Sequence, residues 1–147
     1  MQGWIIRIAI VAVIVIGGLI FRDRLSGSAG DLKVGDCFDD PQGVTTVKDV
    51  QHHPCNETHT SEVVFVGDVP GESSTYPGDA GFVSWAVSNC TPAFAAYTGV
   101  DIAAQEVLDM SYFFPLESGW SRGDRTVTCY AFRIDNKPVT SSFRKAP

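Results

Sequence analysis

The chain has 147 residues, a formal net charge of −6 and four cysteines. That length excludes a large multidomain assembly and suits one domain with a real core. The acidic balance excludes a reader of nucleic-acid backbone, because such a surface repels phosphate and anionic headgroups alike.

The first element is hydrophobic. Ile8 to Phe21 carries no charged or hydrogen-bonding side chain, and Trp4-Ile5-Ile6-Arg7 extends it. With Arg7 snorkelling toward the headgroups and Trp4 at the interface, the run approaches the roughly 20 residues that span a bilayer core. Val and Ile occupy every face, so a helix here has no polar side to turn to water. Residues 1–25 are therefore expected to be an uncleaved N-terminal transmembrane helix. A cleaved signal peptide is the rival reading; its cleavage site would be Gly27-Ser28-Ala29. Residues 26–30, Ser-Gly-Ser-Ala-Gly, read as a short flexible linker. Residues 31–147 form the domain, with eight basic residues against sixteen acidic ones, a net of −8.

All four cysteines, Cys37, Cys55, Cys90 and Cys129, follow the hydrophobic run. Their number is even and no close pair such as Cys-x-x-Cys exists, which favours two disulfides over zinc. Three connectivities are open. Cys37–Cys55 with Cys90–Cys129 is favoured, one staple within the first half and one from the middle segment to a late strand. Disulfides require the oxidising side of the membrane. The domain is then extracytoplasmic and the N-terminus cytoplasmic, an orientation that the flanking charges leave undecided.

Along the domain, Leu32–Phe38 reads as a strand bent at Gly35-Asp36, followed by a turn over residues 39–43. Val44–Val50 is expected as a second strand, and Gln51–Thr60 as a polar loop holding all three histidines. Glu62–Val66 is a strand and residues 71–79 a loop. Phe82, Ala86, Cys90, Phe94 and Tyr97 recur every three to four residues, which predicts a helix over Ala80–Tyr97. Pro92 predicts a kink in it, or a second helix starting there. Ala103–Leu108 suggests another short helix, and the aromatic run in Asp109–Pro115 a strand or packed loop. Arg125–Ile134 alternates Val127, Cys129 and Ala131 against Thr126, Thr128, Tyr130 and Phe132, the clearest strand of the chain. Val139–Phe143 could return as an edge strand. The fold expected is α+β: a single compact domain with a mainly antiparallel sheet, a central helix and two disulfides.

Three stretches then carry a resemblance: Val34-Gly35-Asp36-Cys37-Phe38, Cys55 through His59 to Glu62-Val63, and Trp120-Ser-Arg-Gly-Asp-Arg125-Thr-Val-Thr-Cys129. In that order, with Cys90 before Phe94 and Tyr97, they resemble the septum-formation domain of actinobacterial, membrane-anchored cell-envelope proteins. Thr58 departs from the pattern, standing where the family usually has proline before the histidine. The resemblance implies a link to cell division or envelope growth and supplies no biochemical activity.

Candidate chemistry is sparse. Asp36, His59, Glu62, Asp124 and Arg125 form a candidate polar site. His59 could serve as a metal ligand or acid/base with Glu62 or Asp36 beside it, and Arg125 is expected to pair with Asp36. His52 and His53 could join His59 at a metal, although neighbouring residues of an extended chain point opposite ways. Trp120 and Tyr112 could line an aromatic surface, although aromatics are more often core. No nucleophile–base set is visible, so no catalytic residue, metal or cofactor is expected. The function read from the sequence is a membrane-anchored binding or structural domain with a protein partner at the cell envelope. A ligand- or metal-binding sensor is the alternative, and a wall hydrolase using two carboxylates a more distant one.

Overall fold

The computed structural model describes residues 26–41, 49–70, 75–104 and 106–146. Its centre is a six-stranded sheet made of β1 (Ser26–Ser28), β2 (Cys37–Asp39), β3 (Asp49–His53), β4 (Ser61–Asp68), β5 (Leu108–Phe113) and β6 (Thr126–Arg133). The spatial order is β1-β3-β2-β4-β6-β5, and every pair is antiparallel. Between β4 and β5 runs the helix α1 (Gly78–Thr98), and α2 (Glu117–Trp120) is a single turn ahead of β6. This is the α+β architecture with antiparallel sheet, main helix and two disulfides that the patterning implies.

Alternation sorts the strand residues onto two faces. Val64, Val127, Cys129 and Ala131 face α1, where Phe82, Ala86, Cys90, Phe94 and Trp120 complete the larger core. The other face gathers Leu32, Phe38, Val50, Val63 and Tyr130. A register shift between Val63 and Phe65 lets both Val63 and Phe65 turn inward on opposite faces. Cys90 of α1 is bonded to Cys129 of β6, which fastens the helix to the sheet, and Cys37 of β2 is bonded to Cys55 just beyond β3. Loop-closure entropy for separations of 39 and 18 residues is roughly 4 and 3 kcal/mol in the chain-entropy account.

Several elements differ from the sequence reading. α1 runs unbroken for 21 residues through Pro92. Proline there deletes one hydrogen bond to the Ser88 carbonyl. The flanking buried residues Cys90 and Phe94 are both 0% exposed, so disulfide and core packing offset that loss. The first expected strand shrinks to Cys37–Asp39, because Gly35 takes φ +93° and turns the chain just before it. β3 lies later than expected, so His52 and His53 are strand residues rather than loop residues; residues 44–48 lie outside the described residues. Instead of a helix over 103–108 there is one 3-10 turn, Ile102–Ala104, and β5 begins at Leu108. The stretch expected as a linker supplies β1, which pairs Ser26 with Gln51 and Ser28 with Asp49.

Val139–Phe143 forms no strand beyond a bridge at Val139. From there to Lys145 the chain is a strap lying across the end of α1 and the start of β4. The hydrophobic segment 1–25 lies outside the described residues, and among the described residues no helix is long and apolar enough to cross a membrane.

Candidate functional site

Glu62 is the second residue of β4. Register places it beside Cys37 of β2 and Ala131 of β6, on the helix face of the sheet. It is 1% exposed. A carboxylate so buried needs donors around it, since desolvation of the charge costs several kcal/mol. Three are present. The Tyr97 hydroxyl, from the last turn of α1, donates to Oε1, and so does the Ser142 hydroxyl, at 2.7 Å. The Phe143 N–H donates to Oε2 at 2.5 Å. Two of the three donors thus come from the strap.

His59 sits just ahead of β4 and is 0% exposed. Its backbone N–H and C=O exchange two hydrogen bonds with Val139, at 3.0 and 2.8 Å. Its Nδ1 lies 2.8 Å from the Glu57 carbonyl, which can only accept, so Nδ1 carries the proton. Nε2 is buried with no hydrogen-bond partner among the described residues. The imidazole meets the Phe143 ring edge-on, with centroids 6.2 Å apart. The strap then continues over Tyr97: the Arg144 guanidinium lies 4.6 Å from the ring centroid, and the Lys145 N–H donates to the Tyr97 carbonyl at 3.0 Å. Burial raises the Tyr97 hydroxyl above its usual range, helped by the bond to Glu62 and opposed by Arg144. Gly35 stands against the same cluster, where an added Cβ would meet Arg144 at 3.4 Å and the Tyr97 hydroxyl at 3.7 Å.

The five candidate polar residues therefore divide. Asp36, His59 and Glu62 gather at one end of the sheet. Asp36 accepts from the Lys33 N–H at 2.8 Å, and its carbonyl accepts from Val63. Asp124 and Arg125 precede β6, seven and six residues from the Ala131 that neighbours Glu62, about 20 Å along an extended strand. The expected Asp36–Arg125 pair is thus corrected by the register. Arg125 instead donates to the carbonyls of Trp120 and Asp124, at 2.8 and 2.9 Å, and stacks 3.7 Å above the Trp120 ring centroid. Asp124 accepts from the Thr126 N–H at 3.1 Å and closes the turn into β6.

Trp120 is corrected as well. It is 3% exposed and packs edge-on against Tyr76 and Phe82. Tyr112 is half-buried against Phe114. Trp120 is core rather than a surface for a ligand.

The histidines do not converge either. His52 and His53 alternate along β3, and the His53 Nε2 lies 2.8 Å from the Asp39 carboxylate. Among the described residues the one group of three potential metal ligands is Cys37, Cys55 and Glu62, and its two sulfurs are bonded to each other. Two polar clefts open near β3. One of about 250 Å³ is lined by Asp36, Cys37, Cys55, His52 and His53 among others, and one of about 660 Å³ by residues that include Gln51, Glu57, Thr58 and Thr140. Sequence reasoning missed Tyr97, Ser142 and Phe143 as partners of Glu62. Nothing local marks them, since they lie 35, 80 and 81 residues away.

The model of the septum-formation family matches residues 34–145. The chain belongs to the septum-formation family. No curated protein matches it, and no solved structure does. The matched span of this septum-formation chain begins at the Val34-Gly35 turn and takes in both disulfides, His59, Glu62, Arg125 and the strap as far as Lys145. The buried cluster and the segment that covers it are thus parts of one family unit.

Proposed function

We propose that this septum-formation protein is a membrane-anchored, extracytoplasmic domain that binds a protein partner during septum and envelope growth. The family membership supports the link to division. The hydrophobic run of residues 8–21 supports the anchor, and the two disulfides support an oxidising location. The observation that carries the binding reading is the use made of the chemistry-bearing side chains. Glu62 and His59 are tied to the chain's own strap, and Arg125 stacks on Trp120. What remains accessible is an acidic surface with polar clefts, suited to a basic or polar polypeptide partner.

The test is imaging of the tagged full chain in dividing cells, combined with protease shaving of intact cells and in-cell crosslinking. The reading expects enrichment at the septum, cleavage of residues 31–147 from outside, and a crosslinked protein partner. Uniform spread with no crosslinked partner would remove it. Protection of the domain from external protease would overturn the orientation.

A further inference from the structure

The two disulfides have different surroundings. Cys90–Cys129 is sealed between α1 and β6, and both of its residues are 0% exposed. Cys37–Cys55 is asymmetric. Cys37 is 1% exposed, Cys55 is half-buried, and both line the smaller cleft together with His52 and His53. On the helix face of the sheet, Cys37 sits in a row between His53 of β3 and Glu62 of β4. The sulfurs of Cys37 and Cys55 and a carboxylate oxygen of Glu62 all lie within 4.8 Å of one another. A purely structural crosslink needs neither a cleft beside its sulfurs nor a carboxylate within 4.8 Å of them. Thiol exchange uses both, an attackable sulfur and a proton acceptor for the buried one.

We propose that Cys37–Cys55 is a thiol–disulfide exchange site that oxidises the dithiol of a partner polypeptide. The partner's thiolate attacks the Cys55 Sγ. A bond forms between these two sulfurs, the Cys37–Cys55 bond breaks, and its electron pair goes to the Cys37 Sγ. The proton given up by the partner's thiol reaches Cys37 through Glu62. The partner's second thiol then attacks its own sulfur in the mixed disulfide and releases Cys55. The partner leaves with a disulfide, two electrons poorer, and the domain keeps two thiols. A disulfide of another protein restores the site by the reverse steps, in which Glu62 takes the proton from Cys37 as that sulfur attacks. A carboxylate beside Cys37 disfavours an idle thiolate there. Cys37 therefore leaves only as Glu62 protonates it, and burial assigns the roles: Cys37 is the leaving and resolving group, and the half-buried Cys55 meets the partner.

The test uses the full chain. A limiting titration with dithiothreitol under native conditions, followed by alkylation and peptide mapping, is expected to open Cys37–Cys55 while Cys90–Cys129 stays closed. Opening of both together, or of neither before unfolding, overturns the proposal. An accessible but idle crosslink is separated from an exchange site by trapping. With an oxidised two-cysteine peptide as probe, Cys37→Ser is expected to accumulate a mixed disulfide at Cys55, and Cys55→Ser none at Cys37. Equal trapping in the two variants refutes the assigned roles. Closure of the reduced site is expected to slow at least about tenfold in Glu62→Gln at neutral pH, with an altered pH profile, as removal of a proton acceptor requires. Arg125→Ala, a destabilised control at the far end of β6, keeps the parent rate. An unchanged rate and profile in Glu62→Gln, or an equal slowing in Arg125→Ala, overturns the role of the carboxylate.

Discussion

Replacing Glu62 by glutamine measures how firmly the strap is held. Three donors point at the carboxylate: the hydroxyls of Tyr97 and Ser142 at Oε1 and the Phe143 N–H at Oε2. Glutamine keeps the shape and one acceptor oxygen. Its NH₂ group must face either the Phe143 N–H, which cannot accept, or the two hydroxyls, which can. The second orientation is the one expected, so the three contacts survive and the charge is lost. A hydrogen bond to a charged group contributes about 1.5–3 kcal/mol and a neutral one about 0.5–1.5 kcal/mol. The loss is then about 1 kcal/mol per contact, reduced at Ser142, which stands exposed. Glu62→Gln should cost about 2 kcal/mol, and Glu62→Ala about 4 kcal/mol because it also leaves donors unpaired and a void. Urea unfolding of the full chain at neutral pH is the assay, with a lower midpoint and unchanged slope expected. A double-mutant cycle with Ser142→Ala should give a coupling of about 1 kcal/mol. A Glu62→Gln protein within about 0.5 kcal/mol of the parent, together with zero coupling, would show that the carboxylate does not hold the strap.

Four further outcomes are expected. Removing the sealed crosslink with Cys90→Ala and Cys129→Ala together should cost about 2–5 kcal/mol, read as a fall in thermal midpoint; an unchanged midpoint would mean that packing alone fastens α1 to β6. Burial pushes the Tyr130 hydroxyl up to about 12 from 10.0, and burial also raises Tyr76, Tyr97 and Tyr112. A folded value above the unfolded one means that the native state holds the proton longer, so this stability is complete below pH 10 and lost as pH rises toward 12; Tyr130→Phe should flatten that alkaline fall in urea midpoint. Gly35→Ala forces a side chain into φ +93° against Arg144 and Tyr97 and should cost about 1–3 kcal/mol, measured by the same unfolding. Arg125→Lys keeps the charge but loses the planar stack on Trp120, and should cost about 1 kcal/mol, visible as a shift in tryptophan fluorescence and midpoint.

The parts of the fold that the sequence disclosed are those fixed by local period. β6 alternates over eight residues, and α1 repeats its buried face at Phe82, Ala86, Cys90 and Phe94. β3 was hidden because Asp49-Val50-Gln51-His52-His53 holds one apolar residue, so its pairing with β1 and β2, not its pattern, makes it a strand. Pro92 marks a break by its usual penalty, which the disulfide and core on either side of it offset. At the candidate site, the Cys-to-His-to-Glu spacing marked His59 and Glu62. Their partners came from the end of a helix and from a strap of ordinary Ser, Phe and Arg residues, a choice only the tertiary structure makes. Arg125 points to a carboxylate by its common bidentate use, whereas its stacking on a tryptophan ring five residues away carries no mark in the sequence.

The connectivity of the two crosslinks bears on how the chain can be made. Cys37 joins Cys55, and Cys90 joins Cys129. Numbered by order of emergence, the first cysteine pairs with the second and the third with the fourth. A polypeptide that emerges N-terminus first presents them in that sequence. An oxidase that joins each new thiol to the one waiting before it makes the native bonds directly. No non-native pair has to be undone, and reshuffling, which takes seconds to hours, is not a required step. Biogenesis of this chain should thus depend on an oxidant and be indifferent to loss of a disulfide isomerase.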